Sequence, residues 1–356
     1  MEEQLTEAIF AAGKRLKRQI TLMEVCGTHT MSIFRHGIKS ILPENIQLIS
    51  GPGCPVCVTP PQYIDQAIQL TKNEEVIICS FGDMLRVPGI EGTLENTRMY
   101  GADIRIVYSP LDSIKIAKDN PGKMVVFLAV GFETTSPVVG LCMKQAEDEG
   151  LGNFLILPGL KQLFPALKSL FSAGEVKVDG LICPGHVTSV TGQAPYGFIP
   201  EMYGIPCVIA GFELTDILMS IYMLILQVAE GRACVENAYK KAGTEAGNAR
   251  ALKVIDRMFQ KVDDSWRGLG IIPQSGLEPS EDYEQRNART YYKLERPVWT
   301  GDGACSCGDV IKGLKTPLEC PLFRNVCTPQ SPIGACMVSS EGSCAAYYKY
   351  NKCVYT

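Results

Sequence analysis

The residues best suited to chemistry are thiols, and two of them stand close together in Gly51-Pro52-Gly53-Cys54-Pro55-Val56-Cys57. Two cysteines three positions apart can close a small disulfide or hold a soft metal. The Cys-x-x-Cys spacing lowers the pKa of one thiol and suits disulfide exchange. Proline between them restricts the backbone, and the glycines before them allow a sharp turn. A zinc half-site would need a second Cys-x-x-Cys, which the chain lacks.

Cys26-Gly27-Thr28-His29-Thr30 places a thiol and an imidazole three apart. A thiolate is the ligand or nucleophile, a nearby imidazole can share its proton, and cysteine is a soft ligand suited to iron. A buried cysteine beside a hydrogen-bonded histidine is the structural alternative. Of the three histidines, His29 and His186 both fall in such loops, the second in Cys183-Pro184-Gly185-His186, whereas His36 reads as a helix end. Pro-Gly alone accounts for the turn at 183–186. Cys79, Cys142, Cys207 and Cys234 have apolar neighbours and read as small core residues.

Seven of the fifteen cysteines lie between Cys305 and Cys353. Cys320, Cys327, Cys336 and Cys344 are separated by six, eight and seven residues, among prolines and glycines. Four thiolates on irregular backbone suit an iron–sulfur cluster. Structural zinc usually takes closely spaced pairs, which this array lacks. Cys305 and Cys307 are rival ligands, and Cys353 is a weaker one.

The elements that must position these residues follow a repeated pattern of apolar strand, small-residue loop and helical stretch. Strands are expected at 21–25, 47–50, 75–80, 104–108, 124–130, 153–157, 180–183 and 206–210. Their apolar runs are continuous, as in parallel strands buried on both faces. Helices are expected at 2–19, 61–71, 111–118, 215–231, 233–242 and 248–261, with a connector at 265–283. This alternation implies α/β layers. The chemistry-bearing residues sit in loops after strands, where sites form in open parallel sheets. Gly131-Phe132-Glu133-Thr134-Thr135 and Gly211-Phe212-Glu213-Leu214-Thr215 read as copies of one strand-to-helix turn, which suggests two similar halves. In each, the glutamate either orients a ligand or stabilises a helix N-terminus. Asp119-Asn120-Pro121-Gly122 breaks the chain, giving expected divisions at 1–118, 119–232 and 233–356.

Composition narrows the function. Net charge is 34 − 38 = −4, with no long basic run, so nucleic acid is an unexpected partner. No Gly-x-Gly-x-x-Gly or Walker loop supports nucleotide binding. The segment opening Met1-Glu2-Glu3 does not read as a signal peptide, and the apolar stretch 217–228 is about half a membrane span. A cytoplasmic protein is expected, in which this many cysteines serve metal or redox chemistry rather than a disulfide framework.

Cys26-Gly-Thr-His-Thr, Gly51-Pro-Gly-Cys-Pro-Val-Cys57, Gly131-Phe-Glu-Thr-Thr, Cys183-Pro-Gly-His186 and Cys336-Met-Val-Ser-Ser-Glu-Gly-Ser-Cys344, in this order, resemble the HypD family of NiFe-hydrogenase maturation factors. The resemblance implies two related α/β domains and a small irregular C-terminal domain carrying a 4Fe–4S cluster. It implies a scaffold for assembling iron that carries two cyanides and one carbon monoxide. The implied partners are a HypC-type chaperone and a HypE-type cyanide donor, met by a monomer that forms heteromeric complexes. By motif, Cys26 helps hold the transient iron, Cys54 and Cys57 are the redox pair, and Cys320, Cys327, Cys336 and Cys344 bind the cluster, with Glu341 close by. Cys305-Ser306-Cys307 has one thiol more than the family pattern. The alternative activity is an iron–sulfur-dependent thiol–disulfide oxidoreductase acting on a protein partner, and a cluster that only stabilises the fold is a third reading.

Overall fold

A computed structural model describes residues 2–239, 241, 245–301 and 303–351. Strands β1 (Ile20–Glu24), β2 (Ile46–Ser50), β3 (Val76–Ser80), β4 (Ile104–Ile106), β5 (Met124–Gly131), β6 (Phe154–Lys161), β7 (Gly180–Pro184) and β8 (Cys207–Ala210) correspond to the eight expected runs. Three more follow: β9 (Val235–Asn237), β10 (Phe259–Trp266) and β11 (Gly270–Pro279). The helix expected over 233–242 is therefore corrected, since β9 occupies its middle; residues 240 and 242 lie outside the described residues. The expected connector is corrected as well, since β10 and β11 form an antiparallel hairpin through it.

The strands form two sheets, ordered β2-β1-β7-β8-β9 and β10-β11-β6-β5-β3-β4. The first is wholly parallel, and the second is parallel from β6 to β4. Parallel neighbours need crossovers, and here a crossover can contain the other sheet. The chain leaves after β2, builds β3 to β6, and returns for β7. Asp119-Asn120-Pro121-Gly122 thus lies between β4 and β5 of one sheet and does not part the two sheets.

Central strands such as β3, β5, β7 and β8 are buried almost throughout, because helices cover both faces. Helix Leu214–Ala229 lays Ile217, Ile221, Leu224 and Ile225 on the first sheet, and helix Ser136–Asp148 covers the second with Val139, Cys142 and Met143. Beyond residue 306 the chain is short helices joined by turns: Cys307–Lys312, Ala335–Val338 and Ser343–Tyr350. This small irregular module packs where carboxyl ends of strands from both sheets meet. Among the described residues no helix is long and apolar enough to cross a membrane.

Candidate functional site

Cys26 follows β1 and precedes helix Gly27–Arg35 in extended backbone. The loop after β2 presses against it. The Gly27 N–H donates to the Gly53 carbonyl at 3.2 Å, and a Cβ on Gly53 would fall 2.2 Å from the Cys26 nitrogen. Only glycine permits this approach. Cys54 and Cys57 are joined by a disulfide, with Cα atoms 5.3 Å apart, and both are buried.

Glu341 closes the other side. Its carboxylate accepts the Thr28 hydroxyl at 2.7 Å, and its side chain occupies the space a Cβ on Gly27 would need. The neighbouring residues fix it there. Ser340 donates its N–H and hydroxyl to Asp83, in the loop after β3, at 3.0 and 3.1 Å. Ser339 touches Cys54 Sγ at 3.4 Å. A narrow cleft lined by Gly27, Thr30, Cys54, Cys57, Cys336 and Glu341 results.

The electrostatics disfavour charge here. Burial, aided by Glu341 and Glu24, pushes the Cys26 thiol up to about 12, although backbone amides of His29 and Thr28 work the other way. Glu24 is buried in β1 and accepts the Cys26 N–H at 3.0 Å and the Thr30 hydroxyl. Burial pushes its carboxyl up to about 7, with Ser50, Thr30 and Cys26 hydrogen bonds opposing. Burial also raises Glu341. A thiol surrounded this way is neutral unless a cation arrives.

His29 is placed differently from a proton-sharing partner of Cys26. Its Nε2 bonds the Gly211 carbonyl at 2.8 Å, and its ring stacks on Phe212. Nδ1 is buried without a hydrogen-bond partner among the described residues, and burial pushes the imidazole down to about 4. Phe212 carries His186 on its other side, with ring centroids 3.8 Å apart. Cys183 is a buried strand residue.

The C-terminal thiols gather in the apolar compartment that also holds Cys54 and Cys57. Cys336 Sγ lies 3.1 Å from Cys344 Sγ and 3.3 Å from Cys307 Sγ. Gly334 packs against Cys305 and Cys307. Cys320 Sγ accepts the Ser306 N–H at 3.5 Å, and Cys327 Sγ accepts the Ile333 N–H at 3.4 Å. Burial opposes ionisation of Cys320, but amides of Ser306, Leu322 and Phe323 outweigh it and lower its pKa. Among the described residues no three His, Cys, Asp or Glu side chains are grouped to hold a single metal ion. The donor set, buried soft thiols with N–H groups aimed at sulfur, nonetheless has the chemistry of an iron–sulfur site. Cys307 lies nearly as close to Cys336 as Cys344 does, and Cys353 lies outside the described residues.

Glu24, Thr28 and Ser339 are site residues that spacing did not reveal. Glu24 alone carried a signal, a charge inside an apolar strand.

A family model described as "HypD: Hydrogenase formation hypA family" matches residues 1–351. The chain is 42% identical to the Escherichia coli (strain K12) hydrogenase maturation factor HypD over 351 residues, covering 98% of this chain and 94% of that protein. It is 45% identical over 352 residues to the hydrogenase expression/formation protein HupD of Azotobacter chroococcum mcd 1, covering 97% and 93%. It is 44% identical over 352 residues to the hydrogenase maturation factor HypD of Azotobacter vinelandii, again covering 97% and 93%. The chain belongs to the HypD family of hydrogenase maturation factors.

Proposed function

We propose that this chain is the scaffold on which the iron of a NiFe-hydrogenase acquires two cyanides and one carbon monoxide before transfer. The observation that supports it best is convergence: the Cys54–Cys57 disulfide, Glu341, Cys336 and Gly27, the residue after Cys26, border one cleft, although they come from distant parts of the chain. The iron is the cargo. Cys26 supplies a soft thiolate to it, and Glu341 and Thr28 form the adjacent wall. Cys320, Cys327, Cys336 and Cys344 would hold a resident 4Fe–4S cluster, which when bound supplies one-electron reducing power. Cys54 and Cys57 exchange two electrons by opening and closing their disulfide, which sets the redox state beside Cys26.

The partners of this reading are a HypC-type chaperone, sharing the iron through a cysteine of its own, and a HypE-type cyanide donor, met by a monomer in the cytoplasm. A free-standing reductase of protein disulfides is less favoured, because Cys54 and Cys57 are 6% and 3% exposed and a macromolecular disulfide needs an accessible sulfur.

Infrared spectroscopy of the chain purified with its HypC-type partner tests this. Bands of metal-bound cyanide and carbon monoxide are expected, and Cys26→Ala should abolish them while Cys54–Cys57 still cycles. A wild-type complex without these bands, or a Cys26→Ala complex that keeps them, overturns the reading.

A further inference from the structure

The two sulfurs of the disulfide are not equivalent. Cys54 Sγ accepts the Cys57 N–H at 3.2 Å and lies 3.4 Å from the Ser339 hydroxyl. A disulfide sulfur carries no hydrogen, so Ser339 is the donor in that contact. Its orientation is set from behind: the Glu341 N–H donates to Ser339 Oγ at 3.2 Å, which leaves the hydroxyl proton to the sulfur. Ser339 is 2% exposed, so water does not compete for this bond. Among the described residues no hydrogen-bond donor reaches Cys57 Sγ.

We propose that Ser339 is a positioning residue that makes Cys54 the leaving sulfur, and Cys57 the attacked one, when the disulfide opens. This rests on the reading of Cys54–Cys57 as a redox pair. With a dithiol as reductant, one thiolate attacks Cys57 Sγ and the S–S bond breaks. The electron pair goes to Cys54 Sγ, which departs as a thiolate held by the Ser339 hydroxyl and the Cys57 N–H. The second thiolate of the reductant then displaces Cys57 from the mixed disulfide. The reductant ends as a cyclic disulfide, having given up two electrons. Of its two protons, one ends on Cys57 and one in solvent. A better-stabilised leaving thiolate leaves faster and raises the potential of the couple. Ser339 lies between Cys336 and Cys344, so the donor sits in the turn joining the two short helices that carry two of the proposed cluster thiols.

The test uses the full chain with its cluster retained, verified by visible absorbance, and dithiothreitol as the dithiol. The fraction of reduced Cys54–Cys57 is read by alkylation and mass spectrometry across a series of dithiol-to-disulfide ratios. Ser339→Ala should shift the ratio about tenfold towards the disulfide, about 30 mV for a two-electron couple. Ser339→Thr, which keeps the hydroxyl, should stay within about twofold of wild type by the same scale. In the reduced wild type, limiting iodoacetamide at neutral pH should label Cys54 before Cys57, and Ser339→Ala should weaken that preference. A Ser339→Ala ratio equal to wild type, or Cys57 labelled first, overturns the inference and leaves the scaffold reading standing. A wild-type pair that dithiothreitol does not open overturns both.

Discussion

Gly131-Phe132-Glu133, at the end of β5, and Gly211-Phe212-Glu213, after β8, share a signature and a position in their sheets, yet they do different things. Phe132 is buried and stacks on Trp266 at 5.9 Å, inside the compartment of Cys54 and Cys57. Glu133 is buried too, and its Oε1 accepts the Leu163 N–H at 2.8 Å, capping helix Leu163–Ser172 rather than its own. Phe212 is only half buried and lies between two imidazoles, His29 and His186. Glu213 is exposed and forms a capping box with Asp216 on its own helix. The shared residues set a turn, and the neighbours decide what the turn supports. One loop braces the disulfide, while the other holds His29 in the first turn after Cys26.

The largest expected contrast is in packing. Phe132→Ala should cost about 3–5 kcal/mol by urea denaturation, and Phe212→Ala less than half of that, because its ring is already partly in water. Equal losses would break the comparison. Next come opposite pH dependences. Burial pushes Glu133 up to about 7 from 4.5, so the folded state holds a proton that the unfolded state releases. Its ionisation therefore lowers stability as pH rises from 4.5 through 7, by up to about 3 kcal/mol. Glu133→Gln should remove that slope in a series of urea midpoints. His29 runs the other way: its folded value of about 4 lies below the ordinary 6.5, so stability is lost as pH falls from 6.5 towards 4. His29→Gln should flatten the acid limb of the same series by up to about 3 kcal/mol. Slopes of the same sign for the two variants would refute the contrast. The smallest effect belongs to Glu213→Gln, which weakens a solvent-exposed cap and should cost under about 1 kcal/mol in thermal melts.

Eight strands were legible because each is a continuous apolar run covered on both faces. β9 to β11 were not, for local reasons. Val235-Glu236-Asn237 has no apolar run, and Phe259 to Trp266 carries Lys261, Asp263 and Asp264 on an antiparallel strand at the sheet edge. Which sheet a strand joins was also beyond local pattern, because β1 pairs with β7 across 158 residues, as the Thr21 N–H to Asp179 bond illustrates. The thiols stood out because cysteine is chemically distinctive. Thr28 and Ser339 are ordinary polar residues whose partners lie hundreds of positions away, at separations of 313 and 285. His29 was legible as unusual, but its neighbours were not, since Gly211 and Phe212 reach it from the loop after β8.

Ser339, Ser340 and Glu341 engage Cys54, Asp83 and Thr28 respectively, three neighbours supplied by both sheets. Three consecutive residues thus tie one short stretch to the disulfide, to the loop after β3 and to the first turn of the helix after Cys26, so a displacement of that stretch as a unit would change all three surroundings together.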